Sequence, residues 1–289
     1  MIINVAKNGG QLGNQLWFQA RVMSLAFQTK QTFINYSIEV YSPFYKATKG
    51  RKSLVYAGKK NCFIDSEILL ICLYPVIRFF FLVARKMKLR NYFFRYIDFE
   101  NNRPSEENLI TEISGSLITF VEGWNVPRHK TPGPVKELID DSFVPLDKYL
   151  LRYKQLFADC RVVNDILVAV HIRRGDYKEF MNGIYFFEDE VYRDYMKKFA
   201  GFFEGKKVVF ILCSNEAITI EAFNGLDCRI SGGNFVEDNY ILSQCDFIIG
   251  PPSTYSMWAS FFGDSPLYFL HKKDNQFDEI HLNKFKIFI

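Results

Sequence analysis

The chain has 289 residues and a mass of 33.9 kDa; 48% of the residues are hydrophobic and 24% charged, and 36 basic against 32 acidic side chains leave a formal net charge of +4. That much apolar material suffices for one large core or two ordinary ones and excludes a disordered chain. The charges are spread along the sequence without a basic tail, which excludes sequence-independent gripping of nucleic acid and favours a small anion as ligand.

The N-terminus, MIINVAKNGG, has no charged leader followed by an apolar stretch, so no secretory signal is expected and the cytosol is the expected location. A short strand ends at Val5, Gly9, Gly10 and Gly13 make a turn, and NQLWFQARVMSLAF follows as a helix with apolar residues at Leu16, Ala20, Met23 and Phe27. From Thr29 to Ile118 the pattern is mixed and mostly helical. Within it, residues 68–84 (ILLICLYPVIRFFFLVA) reach only the lower limit of a membrane span and contain Pro75 and Arg78; Arg85, Lys86, Lys88 and Arg90 follow. Three readings stand: a helix packed within the protein, a helix lying on a membrane surface with its basic residues at the headgroups, or a span.

A second strand over residues 117–121 leads into EGWNVPRHKTPGP, whose prolines mark a loop, and KELIDDSFVPLDKYLLRYKQLF reads as helix broken near Pro145. After Cys160 the pattern becomes regular. Strands are expected at residues 166–172, 208–213, 247–249 and 267–270, separated by the helical stretches EDEVYRDYMKKFAGFF, NEAITIEAFNG, VEDNYILSQC and YSMWASFFG. Apolar strands without polar alternation, separated by helices, indicate an α/β domain with a parallel sheet covered on both faces. The domain boundary is therefore expected near Cys160, giving domains 1–160 and 161–289. The six cysteines show no paired metal-ligand spacing and read as reduced, structural thiols.

In open parallel sheets ligands bind beyond the carboxyl ends of the strands. His171, Arg173 and Arg174 stand at that end of the second domain's first strand, with His171 and Arg173 on one face and Arg174 opening the turn at Gly175. Two adjacent guanidiniums call for an anion, and a diphosphate suits them; the alternative is that both pair with nearby carboxylates such as Asp176. Arg174-Gly175-Asp176 also spells a triplet known from adhesion signals, but that use needs export and an exposed flexible loop, and the sequence offers neither. In GPPSTYSMW, Ser253, Thr254 and Ser256 precede a helix and form either an anion site or only a helix cap. Ser214, Asn215 and Glu216 end the second strand with the same ambiguity.

GGQLGNQLWFQA resembles the N-terminal glycine motif, HIRRGDY the arginine motif and EDNYILSQCDFIIGPPSTYSMWASFFG the third motif of the bacterial α-1,2-fucosyltransferases of glycosyltransferase family eleven. VEGWNVPRHK occupies the place of that family's Leu-Glu-Gly-Tyr segment. The chain departs where the family has a serine pair and two tryptophans, carrying Pro251, Pro252, Ser253, Thr254, Tyr255 and a single Trp258 instead.

The resemblance implies a GT-B-like fold: two Rossmann-like domains with a donor-binding cleft between them, an acceptor-side N-terminal domain, a C-terminal domain for GDP-fucose, and a C-terminal tail packing back on the N-terminal domain. It implies inverting transfer of L-fucose from GDP-β-L-fucose to a hydroxyl of a glycan acceptor, O2 of galactose, in surface polysaccharide or O-antigen (lipopolysaccharide) synthesis. By the same analogy Arg173 meets the β-phosphate and Arg174 supports it or reaches the guanosine end. Gly13 and Asn14, on the loop, face the donor. Ser253 and Thr254 meet the phosphates, Glu216 and Asp238 contact ribose or guanine, and Ser214 and Ser256 also belong to the donor site. Asp176, Glu179 and His171 remain open as the base. No Asp-x-Asp occurs, so no metal or other cofactor is expected and fixed cations must stabilise the leaving GDP. The alternatives are a transferase with another GDP-sugar or linkage and a non-catalytic nucleotide-sugar-binding protein. A lipid-linked glycan at the inner membrane face is one acceptor class these features allow.

Overall fold

The computed structural model describes residues 1–6, 10–38, 41–65, 67–101, 104–162, 165–270, 272–273, 276–277 and 280–288. The chain divides into two compact units, Met1–Val144 and Pro145–Phe288. The division thus falls before the helix that sequence reasoning assigned to the first domain, not near Cys160, because that helix packs on the second sheet. Gly9 lies outside the described residues.

The N-terminal unit runs β1 (Ile2–Asn4), α1 (Leu12–Gln28), β2 (Thr32–Asn35), β3 (Leu54–Ala57), β4 (Cys62–Phe63), α2 (Glu67–Met87), β5 (Phe94–Asp98), α3 (Glu106–Ser114), β6 (Ile118–Glu122) and α4 (Gly133–Ser142). Its sheet has the order β4-β3-β2-β1-β6-β5; β2, β1, β6 and β5 are parallel, while β3 and β4 form an antiparallel edge. The stretch from Thr29 to Ile118 holds the helices α2 and α3, as the mostly helical expectation has it, and also four short strands, β2 to β5, that this expectation did not place. Its strands are only two to five residues long, and Leu54–Ala57 is buried on both faces, so no alternation betrays it.

Every residue of α1 from Leu16 to Ala26 is buried. Among them, Arg21 donates from Nη1 to the Val126 carbonyl at 2.8 Å and lies 5.0 Å from the Trp17 ring, while the His129 ring reaches the Arg21 carbonyl at 3.2 Å. These contacts tie the loop after β6 to α1.

The C-terminal unit contains α5 (Asp147–Arg161), β7 (Ile166–Ile172), α6 (Asp189–Ala200), β8 (Val208–Ser214), β9 (Cys228–Ile230), α7 (Phe235–Gln244), β10 (Phe247–Gly250), α8 (Thr254–Gly263) and β11 (Leu267–Phe269). All neighbours in the order β11-β10-β7-β8-β9 are parallel. The four expected strands are present; β9, three residues at an edge, was not legible. NEAITIEAFNG is not an α-helix but a 3-10 turn over Ile220–Phe223, since the β-branched run Ile218, Thr219, Ile220 resists helix and Thr219 is extended.

Val168, Val170 and Ile172 of β7 with Phe210 and Leu212 of β8 form one core face with Tyr192, Tyr195, Met196 and Phe199 of α6. Alternation sends Leu167, Ala169 and His171 to the other face, where the His171 ring meets Tyr255 of α8. The C-terminal tail belongs to this unit: Lys286 pairs with Leu267, and Phe285 packs on Phe199, Phe247 and Tyr268.

Helices α7 and α8 approach closely at Gly263, where an added Cβ would stand 1.7 Å from the Ser243 carbonyl oxygen. Gly263→Ala should therefore lower stability by about 1–3 kcal/mol, seen as a lower urea midpoint with an unchanged denaturant slope.

The turn from β9 into α7 is organised by Asp238, which is buried, accepts from the Ser231 hydroxyl at 2.6 Å and from the Gly233 N–H, and sits behind a capping box of Asn234 and Glu237. Burial raises its carboxyl from 3.8 to about 7. Between these values the folded chain holds a proton that the unfolded chain has lost, so stability falls as pH rises through that window. Asp238→Asn should flatten the pH dependence of denaturation over that range; an unchanged slope would show that this carboxyl does not titrate as its surroundings require.

Candidate functional site

In the order β11-β10-β7-β8-β9 the chain first proceeds outward from β7 through β8 to β9, then returns to the other side of β7 with β10. The loops after β7 and β10 consequently leave in different directions, which opens a crevice at the carboxyl ends of these strands. HIRRGDY leaves β7 here, Ser214 to Glu216 leave β8, and GPPS leaves β10 into α8.

Gly250 lets the two strand ends close up. An added Cβ there would stand 2.9 Å from both the His171 Cβ and its carbonyl oxygen. His171 itself is 4% exposed, with its ring 5.0 Å from Tyr255, and its Nδ1 has no hydrogen-bond partner among the described residues. Burial, reinforced by the Arg173 charge, lowers its pKa to about 3. The ring is neutral near pH 7 and too weak a base to take a proton from a sugar hydroxyl. His171 lies beneath the crevice as packing, and the expectation that it serves as the base is not supported.

The two arginines have different surroundings. Arg174 donates from Nη1 to the Phe187 carbonyl and from Nη2 to Asp189, lies over Phe186 at 5.2 Å, and its backbone N–H is held by the Asn215 Oδ1 at 2.8 Å. It is built into the walls of the loop. Arg173 lies over the Tyr177 ring at 5.0 Å and donates from Nη2 to both oxygens of Asp176, at 2.7 and 3.0 Å. The Asp176 carboxylate is 55% exposed, so an incoming anion can compete with it for the guanidinium. Gly175 at φ +60° turns the chain between the two, with the Asn215 amide 3.1 Å from where a Cβ would stand. Glu179 is exposed beyond the 3-10 turn Gly175–Lys178.

Ser253 is the N-cap of α8 and accepts from the Tyr255 N–H at 3.2 Å, with Thr254 as the first helical residue. This helix start presents backbone N–H groups at the crevice and suits an anion. Ser256 does not: it is fully buried and donates to the Ser253 carbonyl at 3.2 Å, one turn behind the cap. Ser214 accepts from the Glu216 N–H at 3.2 Å, and Glu216 is exposed beside Gly175. Asp238, expected at ribose or guanine, is buried and engaged with Ser231 in its own turn. Sequence reasoning did not single out Tyr177, yet its hydroxyl donates to the Pro252 carbonyl at 2.9 Å, joining the β7 and β10 loops beneath Arg173. An aromatic closing the arginine motif was the available signal.

In the N-terminal unit Gly13 and Asn14 are not loop residues. α1 starts at Leu12, Gly13 is buried in its first turn, and the Asn14 amide folds back to within 2.0 Å of where a Cβ on Gly10, at φ +86°, would lie. The turn thus ends earlier than the glycine spacing suggested.

The same unit holds a cavity of about 500 Å³ at the carboxyl ends of β1, β6 and β5, lined by Arg78, Arg85, Asp98, Glu100, Glu122 and Gly123 among others. Arg85 Nε lies 3.2 Å from Glu122, which also accepts from the Tyr96 hydroxyl. Burial works against ionisation of Asp98, but hydrogen bonds from the Asn101 amide and the Glu100 and Asn101 N–H groups, with the Arg85 charge, hold its carboxyl below the usual carboxylate range. Gly123, at φ +86°, leaves room for Glu100, whose Cγ would be 2.9 Å from a Cβ there. Such a volume falls within the range of about 300–1,000 Å³ usual for ligand sites, and alternating donors and acceptors suit a hydroxyl-rich ligand. Among the described residues, no group of three or more His, Cys, Asp or Glu side chains is gathered as for a metal ion.

Residues 146–286 match the profile of the family described as glycosyl transferase family 11. No curated protein matches the chain in sequence. Among solved structures, fucosyltransferase NodZ from Bradyrhizobium superposes with a TM-score of 0.57 at 15% identity, over 96% of this chain and 96% of that one. An arginine-to-lysine mutant of FUT1 from Arabidopsis thaliana in complex with GDP gives 0.57 at 10% identity, over 95% and 71%. POFUT1 in complex with GDP-fucose gives 0.54 at 12% identity, over 93% and 97%. At these identities the structural likeness concerns the fold, which is GT-B-like. Over residues 146–286, just under half of the chain and the part that carries the arginine-bearing crevice, the chain is similar to glycosyl transferase family 11.

Proposed function

We propose that this chain is an inverting fucosyltransferase that moves L-fucose from GDP-β-L-fucose to a hydroxyl of a glycan, O2 of galactose being the expected position. The observation that carries the reading is Arg173: a guanidinium seated on Tyr177 at the strand crossover, paired with a half-exposed carboxylate, beside the N-terminus of α8. GDP and GDP-fucose in the complexes of the similar structures support the choice of nucleotide. The cavity among Asp98, Glu100, Glu122 and the two arginines of α2 supports the N-terminal unit as the acceptor's holder.

In this reading the acceptor oxygen attacks the anomeric carbon as its bond to the β-phosphate oxygen breaks. Charge grows on GDP, and Arg173 with the Ser253-capped helix start opposes it. Arg174 keeps the loop in shape. The hydroxyl proton passes to a carboxylate, Asp176 or Glu179. Another GDP-sugar is the principal alternative, and a donor screen against galactose-terminated acceptors with linkage analysis of the product separates the two.

Arg173→Lys retains charge but loses the planar fork, so kcat should fall roughly 10²- to 10³-fold with the fold intact. Near-native kcat in a folded Arg173→Lys protein would refute the assignment. Asp176→Glu should be much milder than Arg173→Lys if Asp176 only orients the guanidinium.

With fixed cations opposing the leaving charge, transfer should persist in excess EDTA. Abolition by EDTA with recovery on adding Mg²⁺ or Mn²⁺ would show that a metal, not Arg173, neutralises GDP.

A further inference from the structure

Helix α2 is apolar on more than the side that the sheet uses. Leu70, Tyr74, Ile77, Phe81 and Ala84, spaced three and four apart, pack into the core of the N-terminal unit against Ile3, Ile34 and Phe120. The remaining circumference still carries large apolar side chains. Val76 is 53% and Phe79 63% exposed, with Ile71, Phe80 and Leu82 near them, and Met87, Tyr92 and Phe93 continue the exposed series past the helix end. A single helix face this apolar is more than scattered surface hydrophobics explain.

The charges on the segment have one sign. Arg78, Arg85, Lys86, Lys88 and Arg90 are exposed, and no Asp or Glu occurs between Leu70 and Phe93. The cations gather at the C-terminal end beside the aromatic pair Tyr92 and Phe93. Apolar side chains outward, cations flanking them and aromatics at the margin match the water–lipid boundary, where Lys and Arg reach headgroup phosphates while their stems stay apolar. Among the described residues, no helix is long and apolar enough to cross a membrane.

We propose that the outward face of α2 docks the N-terminal unit on an anionic phospholipid bilayer, with the helix lying along its surface. Arg78, Leu82 and Arg85 of the same helix line the cavity described above. Resting on the transferase reading, this makes the acceptor a glycan carried on a lipid, delivered to the cavity from the surface on which α2 lies.

The full chain is mixed with vesicles of phosphatidylcholine alone or rich in phosphatidylglycerol, and partition is read by co-sedimentation and by a polarity-sensitive dye on Cys72, an exposed residue of α2. Wild type should partition into the anionic vesicles, with a blue shift of the dye. Lys86→Gln/Lys88→Gln/Arg90→Gln should weaken partition roughly a hundredfold, about tenfold or less for each basic group. Val76→Ser/Phe79→Ser should weaken it in both high and low salt. Thermal melts of both variants should match wild type, because these side chains are exposed. Absence of wild-type partition, equal partition of the basic-site variant, or a soluble dimer that Val76→Ser/Phe79→Ser dissociates would overturn the proposal, the last by assigning the face to a second copy. Turnover of GDP-fucose with a soluble acceptor is measured separately. Absence of wild-type partition with turnover intact rejects the docking alone, and wild-type partition without turnover rejects the transferase reading alone.

Discussion

The candidate donor site depends on the approach of β10 to β7 at Gly250. Parallel pairing of Phe247, Ile248 and Ile249 with Val168, Ala169 and Val170 brings the strand ends level, and the missing side chain at Gly250 allows contact with His171. With a wider spacing the Tyr177 hydroxyl would not reach the Pro252 carbonyl, and the ring under Arg173 would lose its anchor. A buried neutral histidine, a glycine and a tyrosine, none of which touches a ligand in this reading, thus determine where the guanidinium stands.

Adjacent arginines reach opposite ends by the same local device. Residues at the end of a strand alternate in direction, and Gly175 at φ +60° then reverses the chain. Arg174 is thereby turned onto Phe187 and Asp189, where it closes the loop between β7 and α6, while Arg173 keeps a partner that water already reaches. Arg174 meets the alternative stated from sequence alone, that of a structural ion pair. Arg173 meets it only in part, because an exposed carboxylate exchanges for phosphate at little cost.

What was legible in the sequence follows from burial. β7, β8, β10 and β11 are apolar runs because helices cover both faces of their sheet, and such runs announce themselves without alternation. β2 to β5 are two to five residues long and lie in a stretch of mixed pattern, where a helical reading displaced them. Missing β5 concealed the cavity as well, since Asp98, Arg85 and Glu122 meet only once β5, α2 and β6 are laid side by side. The arginine motif was readable because its residues are contiguous. Ser256 and Asp238 are buried and bonded within their own turns, because a hydroxyl or carboxylate near a helix start serves the helix as readily as a ligand, which the sequence alone does not distinguish.

The same distinction applies to α2. Hydropathy counted along residues 68–84 cannot tell a helix apolar on every side from one whose apolar residues are divided between two neighbours. The sheet accounts for the stripe Leu70, Tyr74, Ile77, Phe81 and Ala84, which removes the argument for a span without accounting for Val76 or Phe79. Had the outward face needed only to meet water, polar residues there would have cost the fold nothing, because those side chains pack against no core. Their apolar character is thus a constraint imposed from outside the N-terminal unit, and the cations beside them state the sign of whatever imposes it.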